Sequence, residues 1–371
     1  MKPKKNIDWL FVLPDDLIGG GAQQVMFHMV NYLIDNGYNC AVIFLIRKKH
    51  YGWQKLESKC HIIYLNYTSV YRGYFGAAIF LKAFFKRHNI INVMGSQVLI
   101  NGLLGLLKSL KIIDSRSKLI LRESTSIFLR FKGFKLLIYK IAYRMGYKQA
   151  DVIICQTQLM KTQLTSALKW LENSPKIIVL PNPVNIEEMS LKGLIPPTIN
   201  LDEDYVVAAG RIIPEKGFDI LIKAFSNLKN KKLKLLLLGI GENSIVQELK
   251  TLAEDLNLSE RVVFYGFADN VYPLFRHAKL CVISSRIEGF PNTLLQMMSQ
   301  NTNVVSTLCA GGISEIEGLI TCQPNNVEAL QNAMENSMRL EQKASIRKKF
   351  DNYLRQQTIE NFMVELFKKI Q

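Results

Sequence analysis

No apolar run in the 371 residues approaches the ~18 to 20 needed for a membrane-spanning helix. The best, Val98 to Leu107, is about half that length and contains Asn101 and two glycines. The N-terminus, MKPKKNIDWLFVLPDD, starts basic, but Pro14, Asp15 and Asp16 cut its apolar stretch short, so it does not read as a signal peptide. Cysteine is sparse and unpaired: the six, at 40, 60, 155, 281, 309 and 322, have no close spacing, and several sit in strand-like runs such as DVIICQT and LCVISS. Reduced, buried thiols in a cytoplasmic protein are expected rather than disulfides. The five histidines are dispersed, without metal-ligand spacing.

Acidic residues are scarce in the first half. Residues 1–192 hold 27 Lys and Arg against 11 Asp and Glu, and the rest balances at 20 against 20, so the net charge of +16 belongs to the first half. No acid occurs between Glu57 and Asp114, nor between Glu123 and Asp151. Basic residues there are interleaved with aromatics, as in YRGYFGAAIFLKAFFKRH and FLRFKGFKLLIYKIAYRMGYK. Such stretches read either as helices whose apolar side enters a membrane interface while Lys and Arg meet anionic headgroups, or as helices packed on a core with a solvated charged face. No nucleic-acid motif accompanies the charge, and no nucleic-acid partner is expected.

Short apolar runs alternate with amphipathic segments throughout. IDWLFVL, CAVIFLI, INVM, KLILR, DVIICQ and KIIVL read as strands of the first half; YVVAAG, LKLLLLG, VVFYG, LCVISS and NVVST read as strands of the second. This alternation predicts an α/β chain of two doubly wound, Rossmann-like domains facing a cleft. The expected division is 1–185, a Pro-containing linker at 186–204, 205–350, and a C-terminal helix over 351–371 that can pack back on the first domain.

Three loops carry chemistry. Gly19-Gly20-Gly21 follows the first strand, where glycines let backbone N–H groups approach a ligand. In GRIIPEKG, Arg211 and Lys216 are two cations suited to a leaving diphosphate, although a local ion pair of Arg211 with Glu215 or Asp219 is the alternative. LCVISS delivers Ser284, Ser285, Arg286 and then Glu288 in EGFPNTLLQ, either as a ligand carboxylate or as a helix cap.

GRIIPEKGFDILIKAF, LLLLGIGE, RVVFYGFADNVYPLF, AKLCVISSRIEGFPNTLLQMM and NVVSTLCAGGISEI, nearly continuous over 209–316, resemble the family 4 retaining glycosyltransferases, which have the GT-B architecture. GGGAQQV, RES, ICQT and LPNPVN extend the resemblance more thinly into the first half, towards bacterial enzymes of capsule, O-antigen and other surface polysaccharides. The resemblance implies transfer of a hexose from a nucleotide diphosphate sugar, taken as a UDP-sugar, to a lipid-linked glycan. It implies no metal or other cofactor, and an enzyme held peripherally at the inner face of the cell membrane through its anionic lipids. By motif, Arg211 and Lys216 hold the diphosphate. Glu288 accepts donor-sugar hydroxyls, and the amides of Phe290, Asn292, Thr293 and Leu294 meet sugar or phosphate. Gly266 to Asn270 lie along the nucleobase, Gly20 and Gly21 close on the donor, and Glu123 in RES serves as a catalytic contact to the sugar or acceptor, a local pair with Arg122 being the alternative.

Two departures stand out. Most members of the family that the chain resembles carry a second glutamate, at the nucleotide's ribose, where this chain has Gln296; an amide can accept there without charge assistance. The segment after Gly311-Gly312 is also short. The acidic run Asp202-Glu203-Asp204 sits in the expected linker and reads as solvated. A nucleotide-sugar 2-epimerase of the same fold, or a catalytically weakened membrane-bound scaffold, are the alternatives.

Overall fold

Strand-forming runs such as CAVIFLI are apolar at every position rather than at alternate ones, the pattern of strands covered by helices on both faces. The computed structural model, which describes residues 4–17, 21–47, 52–68, 70–174, 176–197 and 204–370, arranges them in two units, 1–183 with 359–371 and 184–358.

The first unit holds a parallel sheet of β1 (Lys5–Asp15), β2 (Cys40–Ile46), β3 (His61–Tyr64), β4 (His88–Ser96), β5 (Lys118–Arg122), β6 (Val152–Cys155) and β7 (Ile177–Val179), in the order β3-β2-β1-β4-β5-β6-β7. Successive β1 residues point to opposite faces. Leu10 and Val12 enter a core with the helices Val70–Arg87, Val98–Ser109 and Gly133–Gly146. Trp9, Phe11 and Leu13 enter another with the helices Gly21–Asp35 and Ile359–Ile370.

The second unit repeats the plan with β8 (Tyr205–Ala209), β9 (Lys234–Leu238), β10 (Val262–Gly266), β11 (Leu280–Ile283), β12 (Val304–Thr307) and β13 (Ile320–Cys322), ordered β10-β9-β8-β11-β12-β13. In each sheet the strand order reverses once, between β1 and β4 and between β8 and β11. Ligands of open parallel sheets bind beyond the carboxyl ends of the strands at such a point.

The expected linker 186–204 differs from the structure. It contains the helix Ile186–Gly193, whose N-cap Asn185 accepts from the Glu188 N–H at 3.0 Å and whose Met189 is buried in the second unit's core. The C-terminal segment 351–371 is not one helix. The helix Lys343–Gln356 belongs to the second unit, Thr358 bridges to Val184, and a new helix, Ile359–Ile370, joins the first unit. All six cysteines are free and buried. Among the described residues no helix is long and apolar enough to cross a membrane.

Candidate functional site

Because β8 and β11 are neighbours at the reversal point, the loops leaving their carboxyl ends run side by side. Gly217 adopts φ +64°, and a Cβ there would lie 2.2 Å from the Ser284 carbonyl oxygen, so only glycine lets the two loops approach this closely. The loops are then laced together. Ser284 Oγ donates to the Lys216 carbonyl at 2.9 Å and the Arg286 N–H donates to the Glu215 carbonyl at 2.7 Å. The Arg286 guanidinium donates to the Pro214 carbonyl at 2.6 Å and to both carboxylate oxygens of Asp219 at 2.8 and 2.7 Å. A fork-to-fork pair of this kind fixes orientation as well as contributing energy.

This lacing brings Lys216 Nζ to 2.5 Å from Glu288 Oε1, and Ser285 Oγ donates to the same oxygen at 2.8 Å. Both side chains of the pair are less than one-fifth exposed, at 17% and 18%. The Glu288 N–H donates to the Cys309 carbonyl at 2.8 Å, and Thr307 Oγ1 donates to the Ser285 carbonyl at 2.6 Å, anchoring the loop to the end of β12. Burial first, and the nearby Glu288 charge second, push the Cys309 thiol up to about 12, so it stays protonated at neutral pH.

Glu288 is therefore not a helix cap. The helix Asn292–Gln300 has Pro291 at its N-cap and no side-chain cap. The local ion pair considered for Arg211 is not formed either: Asp219 is engaged by Arg286, and exposed Arg211 has no partner for its guanidinium among the described residues. Arg211, Lys216 and Glu288 thus share one strand-end edge, with a cation left uncommitted.

The remaining expected donor contacts divide. Asn292 and Thr293 occupy the helix's first turn and Phe290 packs against the adjoining core. The Leu294 N–H, expected to be open, donates to the Pro291 carbonyl at 2.9 Å and its side chain is buried. Gln296 Nε2 lies 3.4 Å from the Tyr272 hydroxyl, on a phenol that burial holds above its ordinary range. Gly266, at φ +84°, faces open space. Asn270, expected beside the nucleobase, is spent structurally: Nδ2 donates to the Lys192 carbonyl at 2.9 Å and Oδ1 accepts from the Tyr272 N–H at 3.2 Å. Gly21 opens the helix Gly21–Asp35, whereas Gly20 lies outside the described residues. Asp202 and Glu203 also lie outside them, and Asp204 is 3.3 Å from Lys279.

At the end of β5 the outcome differs from the expectation. Glu123 is not presented to a ligand; it is 2% exposed. Tyr143 donates to its Oε2 at 2.5 Å, and Tyr147 donates to its Oε1. Burial raises its carboxyl to about 7 against the pull of these hydrogen bonds. Arg122, fully buried, donates from Nη2 to Asn182 Oδ1, while its Nε and Nη1 have no partner among the described residues. Burial lowers the guanidinium to about 10, leaving it charged at neutral pH. The two tyrosines were missed in the sequence, although their four-residue spacing on one helix face was the available sign. The clamp from Arg286 to Asp219 was missed because its partners are 67 residues apart.

Residues 195–357 match the family Glycosyl transferases group 1. The match falls wholly within the second unit, 184–358. An uncharacterized glycosyltransferase of Methanocaldococcus jannaschii is 34% identical over 212 residues, 55% of this chain and 51% of that protein. The N-acetylgalactosamine-N,N'-diacetylbacillosaminyl-diphospho-undecaprenol 4-alpha-N-acetylgalactosaminyltransferase of Campylobacter jejuni is 29% identical over 211 residues, 56% of each chain. The matched stretches thus span about half the length of these curated relatives. Among solved structures, Anabaena Alr3699/HepE in complex with UDP-glucose superposes with a TM-score of 0.77 at 17% identity, over 98% of this chain and 99% of that one. At this identity the likeness establishes the fold, α/β with two parallel sheets in the GT-B architecture.

Proposed function

We propose that the chain is a retaining glycosyltransferase that moves a hexose from a UDP-sugar to a lipid-linked glycan in surface-polysaccharide synthesis. The observation that carries this reading is the partly buried pair of Lys216 and Glu288 at the strand-order reversal, with the uncommitted Arg211 on the same edge. An ammonium engaged once by Glu288 retains two N–H groups for phosphate oxygens, and Arg211 offers a full fork. The second oxygen of Glu288 is suited to accept donor-sugar hydroxyls. Support for the donor's nucleotide comes from the UDP-glucose complex of the Anabaena protein, and for the acceptor's lipid from the diphospho-undecaprenol in the Campylobacter enzyme's name.

In the reaction the bond from the anomeric carbon to the diphosphate oxygen breaks, and a bond to the acceptor oxygen forms on the same face. The acceptor's proton passes to the departing diphosphate. Arg211 and Lys216 stabilise the charge that gathers there, so preorganised electrostatics supply most of the rate.

Titrating the protein with a panel of nucleotide sugars tests this. A UDP-sugar should raise the melting temperature. Arg211→Ala should weaken its binding roughly tenfold or more, as expected for loss of ~1.5–3 kcal/mol of hydrogen bonding to a charged group, and Glu288→Ala should lower turnover. The anomeric configuration of the product, read by NMR, should match the donor's. Indifference to every donor, with both variants behaving as wild type, would sink the proposal.

A further inference from the structure

The helices Val70–Arg87, Val98–Ser109, Gly133–Gly146 and Gln158–Ala167 cover the same face of the first unit's sheet, and none contains Asp or Glu. Helices on the opposite face do contain acids, Asp35 in one and Glu360 and Glu365 in another. On the helix Gly133–Gly146, Ala142, Tyr143 and Gly146 turn inward. Its outward side carries Phe134, Leu137, Ile141 and Met145, all exposed and spaced by three or four residues, which makes one continuous stripe. Phe134 is 77% exposed, and on the helix Val70–Arg87 the exposed Phe75 reaches 74%. Exposed cations flank the stripe: Lys135 on one side, Lys140 and Arg144 on the other.

We infer that this acid-free helical layer docks on an anionic phospholipid surface, with Phe134, Leu137, Ile141 and Met145 in the acyl boundary and Lys135, Lys140 and Arg144 at the headgroups. A surface helix of this kind combines a narrow apolar stripe with cations whose stems can snorkel outward. Charge complementarity selects the occupant. A second copy meeting the same face would set cation against cation with no carboxylate on any of the four helices to pair them, a costly juxtaposition. A nucleic acid would use the cations but leave the aliphatic stripe exposed to water.

The donor chemistry proposed above plays no part in this inference, and the test separates the two. The full chain is sedimented with phosphatidylglycerol-containing vesicles and with pure phosphatidylcholine vesicles, at low and at high salt, without any nucleotide. Sedimentation is expected with the anionic vesicles only, with weakening in high salt. The triple change F134S/L137S/I141S and the charge reversal K135E/K140E/R144E should each cut vesicle binding about tenfold or more. Both should keep the wild-type melting temperature and UDP-sugar binding. Wild-type protein that stays in the supernatant at low salt, binds both vesicle types alike, or instead dimerises through this face in a manner abolished by the same changes, overturns the inference. So does vesicle binding that neither variant reduces. Loss of UDP-sugar binding in the wild type would count only against the transferase reading.

Discussion

Glu288 and Glu123 both follow strands at the carboxyl edge of a parallel sheet, yet their surroundings make them different groups. Glu288 keeps partial exposure and a lysine partner, whereas Glu123 is buried under two tyrosine hydroxyls with its carboxyl raised to about 7. A carboxyl raised in the folded state from its ordinary 4.5 favours the fold most when neutral. Its stabilising contribution is complete below pH 4.5 and is lost as pH rises through about 7. Melting temperatures measured across that window should fall with pH, and Glu123→Gln should flatten the slope; an unchanged slope would assign it to other groups. Gln296 is the other residue whose change is informative. Gln296→Glu restores a charged acceptor close to the Tyr272 hydroxyl and should tighten UDP-sugar binding by ~1 kcal/mol, about fivefold, in calorimetry. No gain would exclude Gln296 from the proposed donor site.

Among elements, the pairing of the helices Val98–Ser109 and Gly133–Gly146 sets the position of Tyr143 and Tyr147 over Glu123. The two backbones meet through Gly102, Gly105 and Gly146, and a Cβ on Gly105 would lie 2.0 Å from the Gly146 carbonyl oxygen. Gly105→Ala must separate the helices, at a cost of ~1–3 kcal/mol in urea unfolding. It should also pull the tyrosines from Glu123 and so reduce the pH dependence described above. Element identity was largely readable in the sequence: the runs at Cys40–Ile46, Lys118–Arg122, Lys234–Leu238 and Val304–Thr307 are strands because continuous apolar character suits a sheet covered on both faces. The edge strands His61–Tyr64 and Ile320–Cys322 were not, since they are only partly covered and lack the continuous buried apolar run that marks the inner strands.

At the scale of the whole molecule, the chain passes between units twice, and the two passages are adjacent: the Val184 N–H donates to the Gln357 carbonyl at 2.7 Å. The last helix then completes the first unit's core with Phe362, Met363 and Leu366, and Phe367 meets Trp9 edge to face at 6.1 Å between ring centroids. Deleting residues 359–371 removes four buried side chains, Ile359 among them, and should therefore destabilise the first unit by roughly 6 kcal/mol or more. The second unit's unfolding transition should stay where it is. Differential scanning calorimetry of the two transitions checks this, and equal losses in both units would contradict it.

Local chemistry along the chain was enough to establish the alternation of strands and helices, the acid-poor first half and the loops bearing Arg211, Lys216 and Glu288, because each depends on residues within a few positions of one another. Whether a carboxylate is open or closed depended on contacts across tens of residues. Asp219 is withdrawn from Arg211 by Arg286, and Glu123 is enclosed by a helix whose approach three glycines permit. Burial and partner choice are properties of packing, and packing brings together side chains whose separation along the chain carries no periodic signal.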